Sequence, residues 1–269
     1  MLVLISGPDR SKISFLVHWL RDLLGLRRMA PISRLLRYDA KYFEGRVPPE
    51  SQFLKSFDSD SPVFMKEGLI PPEACDRIVA NLRAAGPLGL APMSVPDGAE
   101  NTALHDKSSR HTEFLVPTLE DLKTYVGAFE SIRRDIEGFF KVRLGRSDGM
   151  QALGYPPGGR YELHADNCAP VYDDRGRETG WTCNMPHRVI STVLFLTPTV
   201  PRPHEINECS GGELTFAFLL DRRNKPFTIT PKKGLFVAFP STPYFAHRVH
   251  PVKEGYRVTL VDWYAGKVL

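Results

Sequence analysis

The chain has 269 residues, with 35 lysines and arginines against 31 aspartates and glutamates, and its formal net charge is +4. A hydrophobic fraction of 42% and a charged fraction of 25% exclude a wholly disordered chain, and this small charge, spread along the sequence, does not indicate a nucleic-acid partner. No apolar run approaches the roughly 20 residues that a membrane-spanning helix needs, so we expect no membrane partner.

Proline and cysteine usage narrow the class of protein further. The 23 prolines in 269 residues exceed the usual frequency of about 5%, which favours a loop-rich β architecture over a helix bundle. The four cysteines, Cys75, Cys168, Cys183 and Cys209, form no C-x-x-C pair and no dense framework. A disulfide-stapled secreted domain is therefore not indicated, and we predict a cytoplasmic protein.

Residues 1–60 are predicted to form an N-terminal helical extension. Apolar residues recur at helical spacing over about residues 12–26, which predicts an amphipathic helix. Pro48-Pro49 and the polar residues after them mark a boundary. We therefore predict that residues 61–269 form a separate domain.

The remainder of the chain is predicted to be mainly β. The elements expected before Gly145 are a strand at 63–67 and helices at 71–84 and 119–142, with irregular chain at 87–117. Eight short β-runs broken by turn residues follow, at residues 150–155, 160–166, 188–197, 212–219, 226–230, 234–239, 244–250 and 256–264. So many short strands in about 115 residues predict an α+β, mainly β fold with a jelly-roll core at about 150–265 and supporting helices packed against its larger sheet.

Two side chains with metal-binding chemistry stand side by side on a predicted strand. Because side chains alternate faces along a strand, His164 and Asp166 project to the same side. His247, on a later strand, offers a third donor. Two histidines and one carboxylate on one face of a metal leave the opposite positions free, which is the arrangement that non-haem Fe(II) oxygenases use.

An arginine is predicted to lie behind this triad. Residues 251–255 are typical of a turn, and a hairpin about Lys253 would place Arg257 across from Val249, on the same face as His247. A buried arginine is costly unless it meets an anion, and its planar fork suits a carboxylate. A metal triad with a carboxylate-binding arginine behind it is what a 2-oxoglutarate-dependent oxygenase requires.

Five segments carry a family resemblance. They are Tyr155…Gly159…Tyr161-x-x-His164-x-Asp166, Arg188-Val-Ile-Ser-Thr-Val-Leu-Phe-Leu196, Gly211-Gly212-Glu213-Leu-Thr-Phe216, Pro231-Lys-Lys-Gly234 and His247-x-x-x-Pro251-Val-x-x-Gly255-x-Arg257. In their order and spacing, residues 63–265 resemble the Fe(II)/2-oxoglutarate-dependent dioxygenases, and within them the prolyl 4-hydroxylase-like branch.

The resemblance implies a double-stranded β-helix that holds Fe(II) through His164, Asp166 and His247. It also implies 2-oxoglutarate and O2 as cosubstrates, with ascorbate as a candidate stimulant. The implied reaction is oxidative decarboxylation of 2-oxoglutarate to succinate and CO2, coupled to hydroxylation of an unactivated C–H bond.

The resemblance further assigns residues to the cosubstrate. Arg257 would bind the far carboxylate of 2-oxoglutarate, assisted by Tyr155 and by a hydroxyl that is either Ser191 or Thr192. This branch commonly has lysine where Arg257 stands, whereas sister branches have arginine in the same role. The arginine therefore questions the assignment to this sub-branch more than it questions the predicted chemistry.

The substrate is predicted from the connections that flank the site. Two long polar connections, residues 167–187 and 198–210, are expected to close over the substrate, which favours a small molecule or an amino-acid derivative. The candidate substrate residues are Tyr161, His111, Trp181 and Trp263. One alternative is a hydroxylase of prolyl or other protein side chains. Another is a non-catalytic, metal-binding cupin-like protein, which would not need a buried carboxylate receptor.

Overall fold

The computed structural model describes residues 37–38, 62–90, 93–94, 103–104, 109–172, 174–175, 178–221 and 225–269. The predicted amphipathic helix at 12–26 lies outside these residues. From the predicted N-terminal extension, the structure describes a two-residue strand, Arg37–Tyr38, which pairs with Leu219 and Leu220. Among the described helices, none is long and apolar enough to cross a membrane.

Two antiparallel sheets form the body of the described chain. The larger sheet has the spatial order β2 (Phe64–Lys66), β17 (Phe236–Pro240), β13 (Ile190–Phe195), β20 (Arg257–Val268), β9 (Gln151–Tyr155), β7 (Glu113–Leu115), β3 (Pro87–Leu90), with β8 (Val142–Ser147) also pairing β20. The smaller sheet has the order β1 (Arg37–Tyr38), β15 (Leu214–Leu220), β18 (His247–Val249), β10 (Arg160–His164), β6 (Arg110–His111), with β16 (Pro226–Ile229) on β15.

Three two-stranded ribbons and two helices complete the described elements. The ribbons pair β4 (Met93–Ser94) with β5 (Ala103–Leu104), β11 (Cys168–Tyr172) with β12 (Glu178–Cys183), and β14 (Cys209–Gly211) with β19 (Val252–Gly255). The helices are α1 (Pro72–Ala85) and α2 (Leu119–Phe140), and a 3-10 turn spans Pro243–Phe245.

Local sequence explains where α2 begins and ends. Thr118 accepts a hydrogen bond from the Asp121 backbone N–H while the Asp121 carboxylate accepts one from the Thr118 backbone N–H, which forms a capping box. Lys141 adopts a left-handed conformation with φ 54° and ends the helix. The predicted helix to residue 142 is thus two residues too long, because Val142 already pairs with β20.

Two hydrophobic layers lie on opposite faces of the larger sheet. The layer between this sheet and the helices includes the buried α2 side chains Tyr125, Phe129, Ile132, Ile136 and Phe140 together with Ile190, Leu194, Val258 and Leu260. The layer between the two sheets includes Val193, Phe195, Phe216, Phe239 and Val249. Strand alternation therefore assigns each residue of β13 or β20 either to the helix side or to the barrel interior.

The predicted jelly roll is confirmed, since a strand overlaps each of the eight predicted β-runs, although β15, β17 and β20 extend past their predicted ends. The predicted helices packed against the larger sheet are also confirmed. The residues before His247 form the 3-10 turn and not a strand. The sequence-based interpretation missed β8, the β11–β12 ribbon, and the strands within the stretch predicted to be irregular.

The predicted hairpin about Lys253 is wrong. β18 pairs with β10 and β15 in the smaller sheet, whereas Arg257 begins β20 in the larger sheet and lies opposite Tyr155. Residues Val252–Gly255 form β19, which pairs with β14 in a separate two-stranded ribbon. Consecutive strands of a jelly roll cross between sheets, so closeness in sequence does not make β18 and β20 neighbours.

Candidate metal and cosubstrate site

Three potential metal ligands meet at the end of two paired strands. His164 ends β10 and His247 begins β18, and the two residues are direct cross-strand partners. The Nε2 atom of His164 lies 3.8 Å from one Asp166 carboxylate oxygen, and the Nε2 atom of His247 lies 3.9 Å from the other. All three ligand atoms lie within 4.8 Å of one another. Donors of a single ion with bonds near 2.1 Å lie roughly 3 to 4 Å apart, so this cluster can close around one metal ion.

The second ring nitrogen of each histidine is occupied by a backbone carbonyl. The Nδ1 atom of His164 lies 2.8 Å from the Glu162 carbonyl oxygen, and that of His247 lies 3.0 Å from the Phe245 carbonyl oxygen. A carbonyl accepts only from a protonated Nδ1, so in the neutral form of each ring the lone pair lies on Nε2. Burial, and secondarily the neighbouring His247, lowers the pKa of His164 from 6.5 to about 3. His164 is therefore held in the neutral form that binds metals.

The Asp166 carboxylate is held from the larger sheet. Burial raises the pKa of Asp166, but His247, His164 and hydrogen bonds from Ser191 and Trp263 outweigh burial and keep this pKa below its usual value. Ser191 and Trp263 are direct partners on β13 and β20. The carboxylate is thus ionised and oriented, as a metal ligand must be.

Arg188 holds the backbone of Asp166, a contact that the sequence reasoning missed. Arg188 donates to the Asp166 backbone carbonyl at 3.2 Å and to the Asp148 carboxylate at 2.7 Å. Its guanidinium carbon lies 4.2 Å from the centre of the Trp263 ring. Trp263, a predicted substrate residue, therefore lies between Arg188 and the Asp166 carboxylate.

The predicted substrate residue Tyr161 packs on a potential ligand. Its ring stacks on His164 with centroids 3.5 Å apart, and the Arg110 guanidinium carbon lies 4.6 Å from the centre of the Tyr161 ring. Tyr161 and Arg110 are cross-strand partners on β10 and β6. This stack fixes the orientation of the imidazole.

The barrel interior also contains a buried arginine. Arg257 is 1% exposed, and its guanidinium carbon lies 4.5 Å from the centre of the Tyr155 ring and 5.3 Å from that of Phe195. Among the described residues, its Nε and Nη1 atoms have no hydrogen-bond partner, and neither does the buried Thr259 hydroxyl on the same face of β20. Because a buried cation needs a counter-charge, these donors fit a carboxylate.

Gly212 makes room for this arginine. A Cβ atom at Gly212 would lie 2.6 Å from Cδ of Arg257, and its φ of +73° is one that L side chains rarely adopt. Gly212 therefore shapes the arginine pocket.

Ser191 and Thr192, between which the sequence could not choose, lie on opposite faces of β13. Ser191 faces the barrel interior, where its hydroxyl lies 2.8 Å from that of Ser241 and also bonds to Asp166. Thr192 faces the helices and bonds to the Tyr125 hydroxyl and the Asp262 carbonyl, each at 3.1 Å. Thr192 is therefore not brought to the site.

Two other predicted substrate residues lie away from the triad. Trp181, on β12, packs against the cluster of Ala165, Cys168, Phe218 and Ala246. Since Ala165 alternates with His164 and Asp166, this cluster lies on the opposite face of the smaller sheet. His111 lies opposite Arg160 and alternates with Arg110, whose side chain packs on Tyr161.

The second predicted lid is attached to α1. Asn207 donates to the Asp76 carboxylate at 3.0 Å, and Arg83 donates to the Ile206 carbonyl at 3.3 Å. The first predicted lid, which follows Asp166, instead forms the β11–β12 ribbon. The connection at 198–210 is therefore held against a helix, which contradicts the expectation that both connections close over the substrate.

Residues 150–265 match the model of the family described as the 2OG-Fe(II) oxygenase superfamily. Among solved structures, a prolyl-4-hydroxylase from Pseudomonas putida is similar with a TM-score of 0.51 and 20% identity, over 76% of this chain and 92% of that one. A prolyl hydroxylase from Trichoplax adhaerens, in complex with a hypoxia inducible factor peptide fragment, is similar with a TM-score of 0.55 and 16% identity, over 80% and 86% of the two chains. None of the curated proteins matches the sequence. These likenesses support the jelly-roll fold.

Proposed function

We propose that this chain, whose residues 150–265 match the model of the 2OG-Fe(II) oxygenase superfamily, hydroxylates a prolyl or similar side chain of a peptide or protein. The observation that carries the enzymatic part of this proposal is the pairing of the His164–Asp166–His247 cluster with a buried arginine that lacks a described hydrogen-bond partner on two of its nitrogens. The match to this family supports Fe(II), 2-oxoglutarate and O2 as the reactants.

The three clustered side chains would hold Fe(II). The Nε2 atoms of His164 and His247 and the Asp166 carboxylate supply the two-histidine, one-carboxylate donor set of non-haem Fe(II) oxygenases. Bound Fe(II) supplies the activation of O2. Ser191 and Trp263 orient the carboxylate, and Tyr161 holds the His164 ring, so the donors are fixed before the metal binds.

The far carboxylate of 2-oxoglutarate would occupy the arginine pocket. The Arg257 guanidinium supplies charge, while Tyr155 and Thr259 offer hydroxyls on the same interior face. With this end fixed, the keto acid end of the cosubstrate would be free to reach the metal ligands. The protein thereby orients the cosubstrate and excludes water from its charged end.

The substrate assignment rests on the fold likeness and on the connection at 198–210. The two similar structures are both prolyl hydroxylases, and one holds a peptide. A small enclosed substrate was predicted from two closing lids, but this connection is held by α1 through Asp76 and Arg83. With only one of the two predicted lids at the site, an extended peptide substrate becomes the better proposal.

A free amino acid or other small molecule is the second candidate substrate. It is favoured by the β11–β12 ribbon, which begins two residues after Asp166 and stands beside the site. A non-catalytic metal protein is a poorer candidate, because a structural metal site gives no reason to bury the guanidinium of Arg257.

Succinate formation tests the proposal. Protein supplied with Fe(II), 2-oxoglutarate and ascorbate is assayed with proline-containing peptides and, separately, with free amino acids. We expect peptide-stimulated succinate formation that is lost in His164→Ala and Arg257→Ala and retained in His250→Ala, whose side chain bonds to Thr215 at 2.9 Å. Stimulation by amino acids alone would favour the second candidate, and iron binding without any decarboxylation would overturn the enzyme proposal.

A further inference from the structure

Two cysteines face each other at the base of the β11–β12 ribbon. Cys168 and Cys183 are direct partners in the antiparallel pairing. The Asn184 N–H donates to the Asn167 carbonyl at 3.1 Å, so the pair Asn167–Asn184 is a hydrogen-bonded position. Since hydrogen-bonded and non-hydrogen-bonded pairs alternate along an antiparallel ladder, the next pair, Cys168–Cys183, is a non-hydrogen-bonded position.

A proline supports this register independently. Pro170 lies opposite Trp181, two residues further along the ribbon from the cysteine pair. The same alternation makes this a non-hydrogen-bonded position, where the missing N–H of proline leaves no ladder bond unmade. The proline and the backbone hydrogen bond thus agree on which pairs of the ribbon are hydrogen-bonded and which are not.

The cysteine pair has the spacing that a disulfide needs. Non-hydrogen-bonded partners have Cα atoms about 4.5 Å apart and their side chains closer than at any other ladder position, and disulfides span Cα separations of about 4.4 to 6.8 Å. We propose that Cys168 and Cys183 are a redox modification site, at which a small disulfide such as oxidised glutathione converts the two thiols into a disulfide that closes the ribbon beside Asp166.

Burial sets the order of the exchange steps. Cys183 is partly exposed, whereas Cys168 is 3% exposed. The Cys183 thiolate attacks one sulfur of oxidised glutathione, forms a mixed disulfide and releases one glutathione thiol. Cys168 then attacks the Cys183 sulfur and releases the second glutathione. The protein loses two protons and two electrons. Oxidised glutathione accepts them and becomes two glutathione thiols.

The disulfide would fasten the segment that carries a proposed metal ligand. Asn167 lies between Asp166 and Cys168, and its N–H donates to the Ser241 carbonyl at 3.1 Å. A covalent link at the neighbouring residue keeps Asn167 paired with Asn184. Oxidation therefore stabilises the ribbon in its present register and slows its opening.

Disulfide mapping of the metal-free full-length protein tests this proposal without using its catalytic activity. The protein is incubated with oxidised glutathione, alkylated, digested without reduction and analysed by mass spectrometry. We expect one cross-linked peptide pair that contains Cys168 and Cys183, reversal by dithiothreitol, and slower amide hydrogen exchange across the ribbon in the oxidised form. The fully buried Cys75 and Cys209 are expected to stay reduced.

Single substitutions test the order of the steps. In Cys168→Ser we expect a stable glutathione adduct on Cys183, and in Cys183→Ser we expect no adduct on Cys168, while Cys209→Ser retains the cross-link. Persistent adducts in the wild-type protein with no Cys168–Cys183 link, or a link to Cys75 or Cys209, would overturn the proposal. The disulfide map of the wild-type protein decides the question even where a variant does not fold. A Cys168–Cys183 cross-link in a protein that forms no succinate would support this inference while the proposed function fails.

Discussion

Arg257 and Tyr155 are direct partners on β20 and β9, and the arginine guanidinium lies over the tyrosine ring in the interior of the barrel. Burial lowers the pKa of Arg257, which Tyr155 partly opposes. A fully buried cation without a bound anion costs stability, and this cost is the basis of the first prediction.

Arg257→Met is expected to stabilise the cosubstrate-free protein while abolishing succinate formation. Replacing a buried charge by an apolar side chain of similar size is worth about 1 to 4 kcal/mol, so the Tm rises. Arg248→Met, on the neighbouring strand β18, is the control and is expected to keep activity. Thermal unfolding in the absence of 2-oxoglutarate measures the effect, and a large drop in Tm for Arg257→Met would show instead that the arginine holds the fold together.

Gly212→Ala is expected to weaken 2-oxoglutarate binding through Arg257. The added methyl group would lie 2.6 Å from the arginine Cδ atom, so the side chain must shift. Gly158→Ala is a matched control, since its φ of +79° brings the same backbone strain but a Cβ atom there meets nothing within 4 Å.

Both glycine variants should lose about 1 to 2 kcal/mol of unfolding free energy from the left-handed conformation. Only Gly212→Ala should also raise the dissociation constant for 2-oxoglutarate. Equal affinities in the two variants would mean that the close approach to Arg257 is unimportant.

Trp263→Phe is expected to weaken metal binding about 10-fold or more. The substitution removes the hydrogen bond to the Asp166 carboxylate but keeps an aromatic ring for Arg188, and loss of such supporting bonds commonly costs 10- to 100-fold in metal affinity. Titration with Mn²⁺ measures the change. Unaltered Mn²⁺ affinity together with a raised KM for the peptide would assign Trp263 to the substrate instead.

The metal-free protein is expected to lose stability as the pH falls below about 6.5. The folded-state pKa of His164 is about 3, against an ordinary value of 6.5, so between these values the unfolded chain binds a proton that the folded chain does not. The free energy of unfolding therefore falls with decreasing pH by about 1.4 kcal/mol per unit from this residue.

Chemical denaturation between pH 7 and pH 4 measures this dependence. His164→Ala should flatten the slope. An identical slope in the wild type and His164→Ala would contradict the buried neutral imidazole.

The sequence predicts those parts of the site that depend on local patterns. His164 and Asp166 share a side because strand alternation is local, and α2 is marked by Thr118, Asp121 and its apolar spacing. The β11–β12 ribbon also had a local signal, the turn-forming run Asp173-Asp174-Arg-Gly176 between two β-prone stretches, which was interpreted as an irregular connection.

Features that depend on strand pairing could not be predicted. Ser191 and Trp263 meet at Asp166 only because β13 and β20 are neighbours in the larger sheet. The choice between Ser191 and Thr192 requires knowing which face of β13 the helices cover. Arg257 was identified as the carboxylate receptor through a hairpin that does not exist, because a single sequence does not reveal when a chain crosses from one sheet to the other.

The most direct test of the central claim is the binding of 2-oxoglutarate to the protein with and without Mn²⁺, measured by calorimetry for the wild type and Arg257→Met. We predict one 2-oxoglutarate per chain in the Mn²⁺-loaded wild type. We also predict an affinity at least about 30-fold weaker after either metal removal or the substitution, because each loses more than roughly 2 kcal/mol of charge-assisted contact. Affinity that is unchanged by removing Mn²⁺, or that survives in Arg257→Met, would contradict a single site built from the three ligands and this arginine.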